Sequence, residues 1–326
     1  MHLTQRSTGL LLGVFAAAMY GLNPLFVLPL YKAGVGMVSI LTFRSLFAIL
    51  LLAMLMKVRG LSFAVSRKEL TPLFLLGILF TTSALCLYEG YRYLDVGIAS
   101  TLLFVYPVFV AIISALFFKE KLPALTVIAI ALSLAGILLL YRNGTGGSLS
   151  LFGIFLVCLS ALAYAVFIVL VNSSSVRNFP TVKLVFYALI FGLPILLLRS
   201  HCFTELEIPG EPHLWLNLFY LALFPTIISL IAMTRSILYI GATPASILGA
   251  LEPLTGLFCG VVVFGEQLTL RVVIGVIMVL ISVSIVVAAA PLSAWVRQHF
   301  RGTRQHFGEA RQHFGRVRHH ARIGHK

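Results

Sequence analysis

A few polar side chains stand inside long apolar runs, where each could do chemistry. Glu252 is the only charged residue between Arg235 and Glu266, and Arg44 the only one between Lys32 and Lys57. Ionisable groups at membrane depth are costly to keep and are functional candidates by default. Glu252 could bind a proton or a cationic group, or could fix helix packing beside Pro253. The planar guanidinium of Arg44 could hold a substrate carboxylate, or could form a structural ion pair with Glu89. Asn23, followed by Pro24, offers an amide and a neighbouring carbonyl that proline leaves without a donor; a ligand or another helix could take them. Tyr20, Tyr88, Tyr106 and Tyr164 could line a cavity or serve as packing.

The elements that position these groups follow from composition. The chain has 326 residues, 60% hydrophobic and 10% charged, against about 25% charged in ordinary soluble domains. Such a chain cannot clothe a water-facing surface, which excludes a soluble enzyme, a secreted disulfide scaffold and a disordered protein. Four cysteines show no metal or disulfide spacing and read as apolar filler. A helix needs roughly 20 apolar residues to cross about 30 Å of hydrocarbon. Runs of that kind are expected at about 9–30, 36–56, 70–92, 96–118, 123–141, 151–171, 182–199, 214–236, 243–264 and 269–290. The fold class is therefore all-α integral membrane, with ten transmembrane helices. With the N-terminus inside, basic residues outside the tail divide ten to five in favour of the inner face, as the positive-inside rule requires. Both termini are then cytoplasmic. Arg6 followed by Gly9–Phe15 and three alanines resembles a cleavable leader, but the run continues to Leu30 and is expected to stay as the first span.

The sequence also repeats. Tyr93, Ala99, Pro107, Glu120 and Leu122 match Tyr239, Ala245, Pro253, Glu266 and Leu268 at an offset of 146; Gly9, Ala17 and Tyr20 match Gly153, Ala161 and Tyr164 at 144. The difference of two is expected to be a loop change. Two copies of a five-helix unit, an odd number, must lie inverted in the membrane, an arrangement suited to alternating access around a central site. The copies are expected at 1–143 and 144–290. Pro107 and Pro253 are matched positions and the expected hinge, since proline removes a backbone donor and favours a bend.

The residues Asp95-Val-Gly-Ile-Ala-Ser-Thr-Leu-Leu-Phe-Val-Tyr-Pro and Phe118-Lys-Glu-Lys-Leu resemble the fourth helix of EamA-type modules. Gly241-Ala-Thr-Pro-Ala-Ser, Leu251-Glu-Pro and Phe264-Gly-Glu-Gln-Leu-Thr are closer still. Over residues 9–290 the chain resembles the drug/metabolite transporter superfamily. That resemblance implies two inverted EamA halves that export metabolites, amino acids or toxic compounds across a bacterial inner membrane. It also implies that Glu120 and Glu266 brace the helices that follow them. Tyr106 stands where the second copy has Glu252, so the halves differ chemically.

Residues 291–326 carry half of the net charge of +14 and a seven-residue Arg-Gln-His-Phe repeat. This tail is expected to be a disordered basic segment or one lying on anionic cytoplasmic lipid; neither nucleic acid nor a metal is the expected partner. The expected function is a secondary transporter of a small metabolite, amino acid-like or amphipathic, exporting by alternating access with protons as a possible coupling ion. A lipid or drug flippase and a passive channel are the alternatives. No cofactor and no catalytic residue is expected, because no nucleotide-binding motif and no sizeable interfacial loop with clustered acids or histidines is present. Reporter fusions test the topology: alkaline phosphatase is expected to be inactive when fused after Lys68 and active when fused after Arg142.

Overall fold

Hydroxyl side chains open the first helix of each repeat. Thr4 Oγ1 accepts from the Ser7 amide and Ser150 Oγ from the Gly153 amide, both at 3.3 Å, satisfying donors that a helix start leaves unpaired. A computed structural model describes residues 4–90, 92–94, 99, 102–118, 123–140, 150–173, 179–201, 204, 206–264 and 269–285. The helices are α1 Gln5–Gly21, α2 Asn23–Lys32, α3 Met37–Val58, α4 Arg67–Gly90, α5 Tyr106–Phe118, α6 Ala124–Leu140, α7 Leu151–Val171 and α8 Thr181–Arg199. They continue with α9 Pro212–Leu221, α10 Ser229–Ile240, α11 Ala242–Leu248 and α12 Glu252–Phe264, then α13 Leu270–Ile285. Among the described residues there is no strand.

Among the described residues seven runs are long and apolar enough to cross a bilayer: Gln5–Lys32, Met37–Val58, Arg67–Gly90, Leu151–Val171, Thr181–Arg199, Pro212–Ile240 and Ala242–Val263. Tyr106–Phe117, Ala124–Leu139 and Leu270–Ile285 are apolar but shorter, and occupy the expected fourth, fifth and tenth positions. Large apolar side chains stand exposed around the outside, among them Leu50, Met54, Phe117, Phe155, Leu198 and Phe258. In water such a surface would drive aggregation; against lipid chains it is the natural solvent contact. The protein is a multi-pass membrane protein.

Lipid removes most of the hydrophobic drive between helices, so close contact rests on small residues and interhelical hydrogen bonds. Those contacts recur at matched positions of the two repeats. A Cβ on Gly9 of α1 would lie 2.7 Å from side-chain atoms of Tyr239 and Ile240. One on Gly153 of α7 would lie 2.8 and 2.7 Å from Tyr93 and Leu94, the counterparts of that pair. Deeper in, Ser229 Oγ donates to the Ala16 carbonyl at 2.9 Å. Its counterpart Ser83 meets Ser160, whose Oγ donates to the Ser83 carbonyl at 2.6 Å. The pairings α1 with α10 and α7 with α4 are therefore built alike. The same holds for α6 and α13: a Cβ on Gly136 would sit 2.8 Å from the Gly275 carbonyl, while Ser282 Oγ donates to the Ala129 carbonyl at 2.7 Å.

Among the described residues four expected spans are interrupted, the fourth span by turn residues at Phe104 and Val105. The first breaks at Leu22, between α1 and α2. The eighth passes through a π-turn at Ala222–Ile228 that contains Pro225. Pro225 cannot donate to the Leu221 carbonyl, and Thr226 Oγ1 donates to it instead at 3.0 Å. The ninth tightens into a 3₁₀ turn, Gly249–Leu251, between α11 and α12. Gly241, with φ of +91°, makes the corner between α10 and α11 in a conformation that side-chain-bearing residues avoid. The offset between repeats changes from 144 to 146 over a stretch that includes the π-turn, whose wider bonding takes up an extra residue. The change is thus not confined to a loop.

The α4–α8 contact is one close place to test this packing. A Cβ on Gly77 would come within 2.7 Å of the Ala188 carbonyl oxygen and of Phe191 Cβ. Gly77→Val is expected to cost about 2 kcal/mol by overpacking, read as a lowered unfolding temperature in detergent. Gly210→Ala, where a Cβ meets nothing within 4 Å, is expected to leave it unchanged.

Candidate functional site

Two helices begin at matched residues in the middle of the protein. Tyr106 is the first residue of α5 and Glu252 the first of α12, each followed directly by its proline, Pro107 or Pro253. Proline is favoured in a first helical turn because the donor it lacks has no partner there anyway. The chain is interrupted just before each: turn residues at Phe104 and Val105, and the 3₁₀ turn at Gly249–Leu251. The matched prolines therefore mark helix starts after breaks rather than bends inside continuous helices.

Tyr106 closes the gap between the halves. Its side chain is 1% exposed, and its hydroxyl donates to the Ser246 carbonyl of α11 at 3.1 Å. That carbonyl lies one turn before the helix tightens, where α-helical bonding ends. The Tyr106 ring meets Tyr164 of α7 edge to face, with centroids 4.9 Å apart, and Tyr164 stacks on Phe167 at 6.0 Å. A Cβ built on Gly249 would collide with the Tyr106 hydroxyl and lie 3.6 Å from Glu252 Oε1. Gly249 is thus the space in which the tyrosine hydroxyl and the carboxyl approach one another.

Around this point lies a small cavity. Glu252, Arg44, Tyr20, Tyr88, Tyr106 and Tyr164 line it, together with Ser83 and apolar residues of α4. Its free volume is about 40 Å³, room for one or two waters and too little for a metabolite. Arg44, on α3, is 4% exposed, and its Nε has no hydrogen-bond partner among the described residues. A buried guanidinium N–H without an acceptor costs free energy that a bound anion would recover.

The other sequence candidates fall differently. Glu89 does not pair with Arg44: it bonds Arg92 at 2.7 Å and lies 3.5 Å from Arg199 of α8, at 32% side-chain exposure. Arg92 is three residues on, the spacing at which side chains meet near a helix end, so the local partner takes the carboxylate. Asn23 opens α2 outside the cavity wall, and its Oδ1 is buried with no partner among the described residues. Arg235 is exposed. Glu120, Glu266, Cys202 and the tail from 291 to 326 lie outside the described residues. The residues that sequence reading did not connect to this centre include Ser83, Ser246 and Gly249, none of which carries a charge.

Tyr106→Phe removes the bond to Ser246 while keeping the ring against Tyr164. It removes one buried hydrogen bond and is expected to cost about 1 kcal/mol, measured as thermal stability in detergent.

Comparison with known proteins adds the family. The model for the EamA-like transporter family matches residues 7–142 and again 151–288. An uncharacterized transporter of Archaeoglobus fulgidus is 32% identical over 191 residues, spanning 59% of this chain and 67% of that one. The uncharacterized transporter YvbV of Bacillus subtilis is 27% identical over 295 residues, 87% of this chain and 93% of the relative. A solved crystal structure superimposes with a TM-score of 0.72 at 16% identity, over 86% of this chain and 98% of that one, a likeness of fold.

Proposed function

Because the chain belongs to the EamA-like transporter family, we propose that it is a secondary carrier for a small zwitterionic or amphipathic metabolite, amino acid-like in its charges. The observation that carries this reading is a central cavity bearing one carboxyl, Glu252, and one buried guanidinium, Arg44, whose Nε has no hydrogen-bond partner among the described residues. Arg44 would take a carboxylate through its fork, Glu252 would take an ammonium or a proton, and the tyrosines would form the walls. The small free volume fits an occluded state that must expand to admit a solute. Ten crossings in two inverted units, 1–143 and 144–290, with both termini cytoplasmic, account for the matched contacts of α1–α10 and α7–α4. The interruptions before Pro107 and Pro253 are the places where the halves would flex. The direction is outward across the bacterial inner membrane, and proton coupling would run through Glu252.

One observation favours a second reading. An apolar groove of about 290 Å³, lined by Val14, Ala18, Leu251, Leu254, Thr255 and Phe258, opens between α1 and α12 beside Glu252. A lipid or hydrophobic drug could enter sideways there, as a flippase requires.

Counterflow in proteoliposomes preloaded with amino acids and related metabolites separates the two. Accumulation of one labelled solute is expected, with Arg44→Gln raising its half-saturation at least about tenfold, the scale of one lost charged hydrogen bond. Glu252→Gln is expected to abolish the response to a pH gradient; an unchanged response would remove the proton from the mechanism. Absence of counterflow across the panel, with translocation of a labelled lipid, would replace the metabolite reading by the flippase.

A further inference from the structure

Two inter-helix loops, 59–66 and 200–211, are fastened in a way that the central site does not explain. In one, Glu207 reaches back to the first turn of α3. Its carboxylate accepts from the Gly36 amide, and its own amide donates to Ser39 Oγ at 2.9 Å. α3 has no capping side chain of its own, so a residue 171 positions away supplies the cap. Trp215 Nε1 holds the same loop by donating to the Pro209 carbonyl at 3.0 Å, and its ring lies edge-on to Phe43 at 5.2 Å. In the other loop, Lys183 Nζ donates to the Ala64 carbonyl at 2.6 Å, and Tyr187 Oη donates to the Phe63 carbonyl. Both donors come from α8.

These fastenings are counterparts. Lys183 is the match of Ser39 at the offset of 144 that relates Gly9 to Gly153, and Glu207 is the match of Phe63. Each repeat thus lays the loop after its second span across the first turns of the second span of the other repeat. The two sites lie at opposite ends of α3, whose 22 residues span about 33 Å, so one faces each side of the membrane. Ser39 and Lys183 are 2% and 8% exposed. The charged bonds, from the Gly36 amide to the Glu207 carboxylate and from the Lys183 ammonium to the Ala64 carbonyl, hold a loop more firmly than bonds between neutral groups.

We infer that these are paired latches, one per membrane face, and that the cavity opens to a face only when the latch there lets go. This rests on the carrier reading. Both latches are closed in the structure, in keeping with the cavity being too small for a solute. Their chemistry differs, a carboxylate on a backbone amide beside an amide on a hydroxyl at one face, and an ammonium and a phenol on backbone carbonyls at the other, so each can be released without touching its counterpart.

The test uses the full chain with its four native cysteines replaced and a reporter, Ala84→Cys, in the cavity wall. Membrane-impermeant maleimide is applied to right-side-out and inside-out vesicles. Glu207→Ala, and separately Gly36→Ala, whose Cβ would displace the Glu207 carboxylate, are expected to speed reporter labelling about tenfold from the Glu207 face alone. Lys183→Met is expected to do so from the other face alone. Bridging Ser39→Cys to Glu207→Cys, or Ala64→Cys to Lys183→Cys, with a reductant-cleavable thiol crosslinker should suppress labelling from the bridged face, and reductant should restore it, which shows that the protein stays folded. Equal changes at both faces, or none, would overturn the latches. Counterflow that persists with both pairs bridged would also overturn them while leaving the carrier reading intact. One-sided labelling changes without counterflow of any solute would support the latches and defeat the carrier reading.

Discussion

A backbone carbonyl released inside a membrane has no water to turn to, and this constraint shapes the middle of the protein. Proline and tight turns interrupt several spans, and each interruption frees an acceptor that must be satisfied from within. Thr226 serves Leu221 at the π-turn, while Tyr106 donates to the Ser246 carbonyl of α11, just before the 3₁₀ turn. The second bond crosses between sequence repeats and ties the halves together beside the break. That explains why a fully buried tyrosine hydroxyl stands beside the central carboxyl without being a solute ligand in this state.

Outside the centre the architecture rests on approach rather than on specific chemistry. Glycine and serine at matched positions let α1 meet α10 and α7 meet α4 at backbone distance. Lipid offers little drive for such contact, so the fit of small residues and a few buried hydroxyl bonds must supply it. The two fastened loops, by contrast, are held by charged groups near the two ends of α3.

Much of this was legible in the residues. Glu252 and Arg44 stand out because charge is rare in apolar runs, and the structure brings both to one cavity. The offset that pairs Gly9 with Gly153 anticipates contacts of the same kind in both repeats. What escaped was whatever depends on a partner distant in sequence. The proposed Arg44–Glu89 pair gave way to Arg92, three residues from Glu89, and to Arg199 of another helix. Pro225 signals a break but not its π form, because wider bonding leaves no mark on composition. The Glu207 and Lys183 fastenings use backbone partners, and a carbonyl or amide carries no sequence identity.

The π-turn breaks the equivalence of the repeats. α4 runs as regular helix over the positions where its counterpart widens at Ala222–Ile228, so the two units cannot trade conformations as mirror tasks. A device of two interchangeable parts would rest as readily in one posture as in its inverse. On the proposed carrier reading, one whose parts differ by a widened turn would have unequal wells, and so would keep a preferred idle posture even with the same solution on both sides.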